Sequence, residues 1–305
     1  MGATWTFSWG TGLEKVVTDA IAWDAHAHVI GNPIEYPLAP GRGYTPAPAS
    51  LDDYLAMLDR HGIARGVLVQ PSVYGFDHRC LLDALARAGG RLTGIAVPSP
   101  ETTAQDFEAM HEHGIRGIRC NLINPGGLAA DVVITWQPML RAMGWHVELH
   151  VSVDQLQGWA DLIERFEIPV VVDHMGRPAP GNVDPRSPAL AQLIRLVREG
   201  RCFVKLSAPY RLSPRGSERS EARSVTTGPE GCPRATEDRW PAVTRLARAF
   251  LDANASACCW GTDWPHVDAS HPIDTHHVIA ALDDWRGDRW TRRQITSDAA
   301  EQLYA

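Results

Sequence analysis

The chain has 305 residues, of which 44% are hydrophobic and 21% charged, with a formal net charge of -7. That balance can bury a sizeable core and excludes intrinsic disorder, and an acidic chain with no dense basic stripe excludes a nucleic-acid surface. No apolar run reaches the ~18 residues of a membrane helix and the N-terminus has no signal-peptide pattern, so no membrane contact is expected and the cytoplasm is the default location.

The first apolar run, about Ala20 to His26, reads as a strand and leads into Trp23-Asp24-Ala25-His26-Ala27-His28. Residues i and i+2 of a strand share a face, so His26 and His28 can grip one metal ion or polarise one substrate oxygen together, with Asp24 facing the other way. The stretch from Val29 to Ala49 holds Pro33, Pro37, Pro40, Pro46 and Pro48 and must be irregular. So long a loop beside a histidine pair is expected to belong to a site.

Ser50 then caps a helix, with Asp53 at the capping-box distance and Leu51, Tyr54, Leu55 and Leu58 keeping the helical period up to Gly62. A strand follows at Gly66 to Gln70. The alternation repeats: helix Cys80 to Ala88, strand Leu92 to Val97, helix Ala104 to His113, strand Gly117 to Cys120, helix Val133 to Met143, and strand His146 to Val151. It continues with helix Gln155 to Phe166, strand Pro169 to Asp173, helix Ala189 to Glu199, and strand Cys202 to Ser207. Pro209 to Asp238 breaks the rhythm. Rich in Pro, Gly, Ser and Arg, it reads as an insertion after strand seven that contributes nothing to a core. Helix Ala242 to Asp252, strand Ala257 to Gly261, a helix from about Asp274 to Trp285 and a last helix from about Arg292 to Tyr304 complete the chain.

Eight short apolar strands, each followed by a helix, predict a single-domain α/β chain with a closed parallel sheet, a (β/α)8 TIM barrel. Six cysteines without a Cys-x-x-Cys pair read as reduced, mostly buried thiols. In a barrel of this kind the site lies where strands end. The polar residues at those ends are His26 and His28, the Gln70 to Tyr74 segment, Arg119, His150, His174, the Tyr210-Arg211 pair beyond Ser207, and Asp263. Lys205 reads as barrel filling and Glu148 has no evident role. His111, His113, His276 and His277 read as solvated helix faces, and Arg119 and Arg211 have a plain alternative as structural ion pairs.

The stretches Asp24-Ala25-His26-Ala27-His28, Gly117-Ile118-Arg119, Val172-Asp173-His174-Met175-Gly176-Arg177-Pro178 and Trp260-Gly261-Thr262-Asp263-Trp264-Pro265-His266 resemble the amidohydrolase superfamily. Within its amidohydrolase-2 branch the chain is similar to the group of 2-pyrone-4,6-dicarboxylate lactonases, 4-sulfomuconolactonases and sugar-acid lactonases, from about Ile21 to Tyr304. The resemblance implies a hydrolase of a small carboxylated lactone. Asp263 would take a proton from water while His26, His28 and His174 surround the carbonyl oxygen, directly or through a metal. Arg119 and Arg211 would hold substrate carboxylates, with Tyr44, Ser72, Tyr74 and His150 as further substrate contacts.

Two departures stand out. The pyrone lactonases carry a second arginine where this chain has Asn124-Pro125-Gly126-Gly127, and a tyrosine where it has His150. A strand-five histidine makes His26, His28, His150 and Asp263 a possible ligand set for one divalent ion, zinc or manganese. The alternative activities within the branch are metal-dependent decarboxylation and lactone isomerisation. A barrel that merely binds small acids would have no need of the His/Asp set.

Overall fold

The computed structural model describes residues 22–124, 127–214, 238–269, 271–286 and 288–305. Eight parallel strands follow one another around the sheet in chain order: β1 Trp23–Ala27, β2 Arg65–Val69, β3 Leu92–Ala96, β4 Ile115–Asn121, β5 His146–His150, β6 Val170–Val172, β7 Phe203–Leu206 and β8 Cys258–Trp260. An Ala27–Trp264 bridge closes the ring, with the Asp263 amide donating to the His26 carbonyl (2.8 Å) and the His28 amide to the Trp264 carbonyl (2.7 Å). The expected (β/α)8 barrel is therefore present. The seam needs a glycine, because a Cβ on Gly261 would lie 2.6 Å from the His26 nitrogen.

Helices alternate with the strands: α1 Leu51–Arg60, α2 Arg79–Arg87, α3 Ala104–Glu112, α4 Ala130–Ala142, α5 Trp159–Glu164, α6 Pro188–Arg198, the short α7 Pro209–Leu212, α8 Pro241–Asn254, α9 Thr275–Arg286, α10 Arg289–Arg293 and α11 Ala299–Tyr304. The α1 capping box forms as its sequence predicts, Ser50 and Asp53 satisfying each other's backbone amides, and Thr103 with Asp106 repeats it at α3. Helix α5 begins only at Trp159, because Gly158 sits at its N-cap with φ 75° and the residues before it form turns. The expected last helix is interrupted by a π turn over Gln294–Asp298.

Two apolar layers hold the barrel. The outer one packs strand residues such as Leu68, Ile118, Val147 and Val204 against the helices. The inner one joins Trp23, Ala25, Val67, Val69, Ile95, Val171 and Cys259 with Ala299, Ala300, Leu303 and Tyr304, so α11 plugs the N-terminal end of the barrel. The five described cysteines are free and buried, as expected.

Two expectations are corrected. Glu148 faces the barrel interior, where its carboxylate meets the Lys205 ammonium at 2.5 Å and accepts from the Tyr304 hydroxyl at 3.1 Å. His146, Glu148 and His150 thus form the inward face of β5, and Val147 and Leu149 the helix-facing one. The start of the supposed insertion is not excluded from the core: Pro209, Tyr210 and Leu212 of α7 are buried, while 215–237 lies outside the described residues.

Candidate active site

β1 carries the site because its alternation is broken. Strict alternation would put Asp24 on the same side as His26, but the pairing register with β2 shifts between Asp24 and Ala27. Asp24 therefore turns to the helix side, the side expected for it, but through this register shift and not through alternation. It accepts from the Thr262 amide (2.7 Å), the Thr262 hydroxyl (2.6 Å) and the Tyr54 hydroxyl (3.1 Å). This one buried carboxylate ties β1, α1 and the end of β8 together, and burial raises its pKa to about 6.

Inside the mouth, His26, His28, His174 and Asp263 converge. The His26 ring centroid lies 5.0 Å from that of His28 and 4.7 Å from that of His174. Asp263 Oδ1 is 3.5 Å from His28 Nε2 and 3.7 Å from His26 Nε2. Its other oxygen, Oδ2, accepts from the Tyr210 hydroxyl (2.5 Å) and Arg211 Nε (2.9 Å). Asp263 (φ 59°) and His174 (φ 51°) both sit in the left-handed backbone region, which costs a non-glycine residue about 1–2 kcal/mol each and is characteristic of functional positions.

The protons on these rings can be placed from their partners. The Val69 carbonyl only accepts, so His28 Nδ1, 2.6 Å away, carries a hydrogen and a neutral ring presents a lone pair at Nε2. Burial, then the Lys205 charge, holds the His26 pKa well below the usual histidine value. Burial brings His174, whose Nδ1 pairs with the Ser207 hydroxyl at 2.8 Å, down to about 3. Burial alone would raise the Asp263 carboxyl, but the Arg211 charge outweighs it and holds it well below the usual carboxylate range. The site at neutral pH is an ionised carboxylate facing neutral His26 and His174 rings.

Beneath it lies an ionic network in the barrel axis. Lys205 Nζ, fully buried, reaches Glu148 Oε1, His26 Nδ1 (3.1 Å) and Asp173 Oδ1 (3.8 Å). Asp173 binds Arg119 through Nε (2.9 Å) and Nη2 (2.8 Å). Lys205, Glu148 and Asp173 are site residues without a role in the sequence reading, which placed Tyr210 at a strand end but gave it no role. A lysine inside the apolar run Phe203-Val204-Lys205-Leu206 was the available signal, since a buried ammonium requires a buried carboxylate.

Of the expected substrate contacts, Tyr44, Ser72, Arg119, His150 and Arg211 line one cavity with His28, His174, Arg177 and Asp263. Tyr74 does not join them. The 3-10 turn Ser72–Tyr74 buries its ring, and its hydroxyl accepts from the Gly31 amide at 3.0 Å. Arg211 is held by protein at every nitrogen: Nε on Asp263, Nη2 on the Val267 carbonyl, and Nη1 at 3.9 Å from Asp268. A larger cavity under the Val29 to Ala49 loop is lined by Ile30, Pro37, Leu38 and Arg42 and holds none of this chemistry.

Two groups of side chains could hold a metal among the described residues, His26 with His28 and Asp263, and His26 with Asp173 and His174. The first fits better. His26 Nε2 and Asp263 Oδ1 are buried with no hydrogen-bond partner, and the 3.5 and 3.7 Å spacings suit donors ~2.1 Å from a shared centre. His150, the expected fourth ligand, is not brought into this group. Its Nε2 accepts from Arg177 Nη1 at 2.9 Å.

A family model described as Amidohydrolase matches residues 23–305. The chain belongs to the amidohydrolase family. Among curated amidohydrolase relatives, a 4-sulfomuconolactone hydrolase of Rhizobium radiobacter is 32% identical over 93% of this chain and 89% of its own length. A 2-pyrone-4,6-dicarboxylate hydrolase of Comamonas testosteroni is 32% identical over 80% of this chain and 77% of its own. Among solved structures, a Pseudomonas putida protein named for 2-pyrone-4,6-dicarboxylic acid hydrolysis superposes with a TM-score of 0.71 at 29% identity, covering 93% of this chain and 97% of that one.

Proposed function

We propose that this amidohydrolase opens a carboxylate-bearing lactone by adding water to its carbonyl. The observation that carries this reading is the pair of facing acceptors, Asp263 Oδ1 and His28 Nε2, buried 3.5 Å apart. When the His28 ring carries a single hydrogen on Nδ1, both atoms are acceptors and repel unless a proton donor or a cation lies between them. One water can give a hydrogen to each, which leaves an oxygen lone pair free to attack.

As the water oxygen bonds to the carbonyl carbon, its proton passes to Asp263 and the carbonyl oxygen becomes an oxyanion. His26 meets that charge. Lys205 donates to His26 Nδ1, which leaves the ring hydrogen on Nε2, a donor aimed into the mouth. His174 stands 4.7 Å from His26, centroid to centroid, on the same side. Collapse of the tetrahedral centre breaks the ring C–O bond, and the leaving alkoxide takes back the proton from Asp263 to give a hydroxy acid. Arg119 supports a carboxylate on the substrate, its Nε and Nη2 being fixed by Asp173 so that the guanidinium plane cannot turn.

The same three donors, His26, His28 and Asp263, would hold a zinc or manganese ion. Such an ion would lower the pKa of bound water and polarise the carbonyl. In that case the His26 hydrogen lies on Nδ1, shared with Asp173 Oδ1 at 3.5 Å. The relatives named for sulfomuconolactone and pyrone dicarboxylate hydrolysis support the lactone as substrate class. A panel of lactones followed with a pH indicator, with and without added zinc or manganese, tests the proposal. Acid release without gas supports it, whereas CO2 release means a decarboxylase and a change of ring size without net acid means an isomerase.

A further inference from the structure

The His26 ring has two nitrogens, and what meets one decides what the other can do. Nε2 lies 3.7 Å from Asp263 Oδ1 in the mouth, while Nδ1 faces the ionic network below. Two groups meet Nδ1 there, Lys205 Nζ at 3.1 Å and Asp173 Oδ1 at 3.5 Å. They call for opposite tautomers. An ammonium has hydrogens and no lone pair, so a bond from Lys205 needs a bare Nδ1 and puts the single ring hydrogen on Nε2. A carboxylate only accepts, so a bond to Asp173 needs the hydrogen on Nδ1 and leaves Nε2 with its lone pair.

The structure favours the first. The Lys205 contact is the shorter, and Asp173 Oδ1 is buried without a hydrogen-bond partner. Neither rival can swing away. Lys205 is fully buried with Nζ also on Glu148 Oε1 at 2.5 Å, and Asp173 is clamped through Oδ2 by Arg119 Nε (2.9 Å) and Nη2 (2.8 Å). An unused acceptor thus stands beside a donor already in use. A cation held by His26, His28 and Asp263 needs the lone pairs of both rings at Nε2. His28 offers its own, because its Nδ1 hydrogen is taken by the Val69 carbonyl at 2.6 Å. His26 does not while Lys205 holds it.

We infer that Lys205 holds down the affinity of this site for a divalent ion, by keeping His26 in the tautomer that donates into the mouth. An ion enters only when the ring hydrogen leaves Nε2 and appears on Nδ1, where Asp173 Oδ1 accepts it. The ring keeps one hydrogen throughout, so no proton is gained or lost in the exchange. What is lost is the hydrogen bond from Lys205, whose ammonium then faces another N–H. The inference rests on the three-donor metal site described above and on no substrate.

The test measures zinc affinity on the metal-free full chain, by competition with a chromophoric chelator. Lys205→Met combined with Glu148→Met removes one charge of each sign, which leaves the net charge unchanged and strands no buried ion. This double variant is expected to bind zinc about 10- to 100-fold more tightly than the wild type, the range that one charge-assisted hydrogen bond spans. Adding His28→Ala should abolish the gain. A gain that survives puts the ion on the His26, Asp173 and His174 group and overturns the inference. Equal affinities in wild type and double variant overturn it and leave the metal site standing, whereas no binding in either overturns both together. A second readout needs neither metal nor a folded double variant. Nitrogen-15 spectra of the histidine-labelled, metal-free wild type distinguish the two neutral tautomers, and the His26 signals are those missing from His26→Gln. They should show the hydrogen on Nε2, and a hydrogen on Nδ1 overturns the inference.

Discussion

Replacing Asp263 by Asn separates the chemistry of the site from its shape. The amide oxygen can occupy the Oδ2 position and still accept from Tyr210 and Arg211. The amide nitrogen then faces His28 Nε2, whose lone pair it can satisfy. What disappears is the base and the negative charge. Loss of a positioned base predicts a fall in kcat of about 100- to 10,000-fold, or ~3–5 kcal/mol of barrier. The lost charge leaves Arg211 with Asp268 at 3.9 Å as its remaining carboxylate. Breaking a buried pair costs about 3–5 kcal/mol when nothing replaces it, and here the retained hydrogen bonds should hold the loss below that. The expected protein is folded, with a Tm lower by several degrees, and nearly inactive. Initial rates in a pH-indicator assay beside a thermal melt followed by circular dichroism measure both effects. A folded variant with kcat within ten-fold of the wild type would refute Asp263 as the base. A loss confined to KM would make Asp263 a binding group instead.

Arg119→Lys is expected to lower kcat/KM about as much as Arg119→Ala, roughly 10- to 100-fold, because an ammonium cannot bridge to Asp173 and the substrate in one plane. The loss should be larger on a carboxylated lactone than on a neutral one, and equal losses would assign Arg119 to structure alone. His174, with a folded pKa of about 3 against an ordinary 6.5, is neutral in the fold while the unfolded chain binds the proton between these values. Its contribution to stability is therefore fully present above pH ~6.5 and fades as pH falls toward 3, so His174→Gln should flatten the acid side of the stability profile in urea melts. One equivalent of zinc or manganese is expected to bind metal-free protein and to be released by His28→Ala, as read by elemental analysis. Full turnover after exhaustive chelation would instead leave the imidazoles to stabilise the oxyanion unaided. Lys205→Met alone should cost about 3–5 kcal/mol because it strands Glu148, whereas Lys205→Met with Glu148→Met should recover most of it, and additive costs would refute the pairing.

The barrel was legible because each strand is a short apolar run between turn signals and several helices announce themselves by caps. Ser50 with Asp53 is the clearest case. What misled was composition. Pro209 to Leu212 shares the Pro, Ser and Arg content of the residues after it, yet Tyr210 and Leu212 are buried, because a turn at the end of β7 brings them over the mouth. The histidines were legible too, since strand ends converge in a closed barrel and His26, His28 and His174 stand at such ends. Asp173 was hidden in plain view beside His174. Its role depends on which way it points after the strand stops, and its partner Arg119 is 54 residues away.

The pairing pattern explains why reactivity sits where it does. From the plugged end of the barrel upward, charges alternate: Glu148, Lys205, Asp173, Arg119, with Asp263 and Arg211 as a second pair at the mouth. Each charge is buried and each has an opposite, which is the condition for keeping ions in a low-dielectric interior. Beside the reaction centre three buried atoms have no hydrogen-bond partner: Asp263 Oδ1, His26 Nε2 and His150 Nδ1. A buried polar atom left unmatched costs about 1–3 kcal/mol, and that cost is removed when water, metal or substrate fills the gap. The fold thus stabilises the ligand-filled state over the empty one through the atoms it leaves unpaired. In the proposed reaction the acceptors would deprotonate water and the donors would hold the carbonyl oxygen.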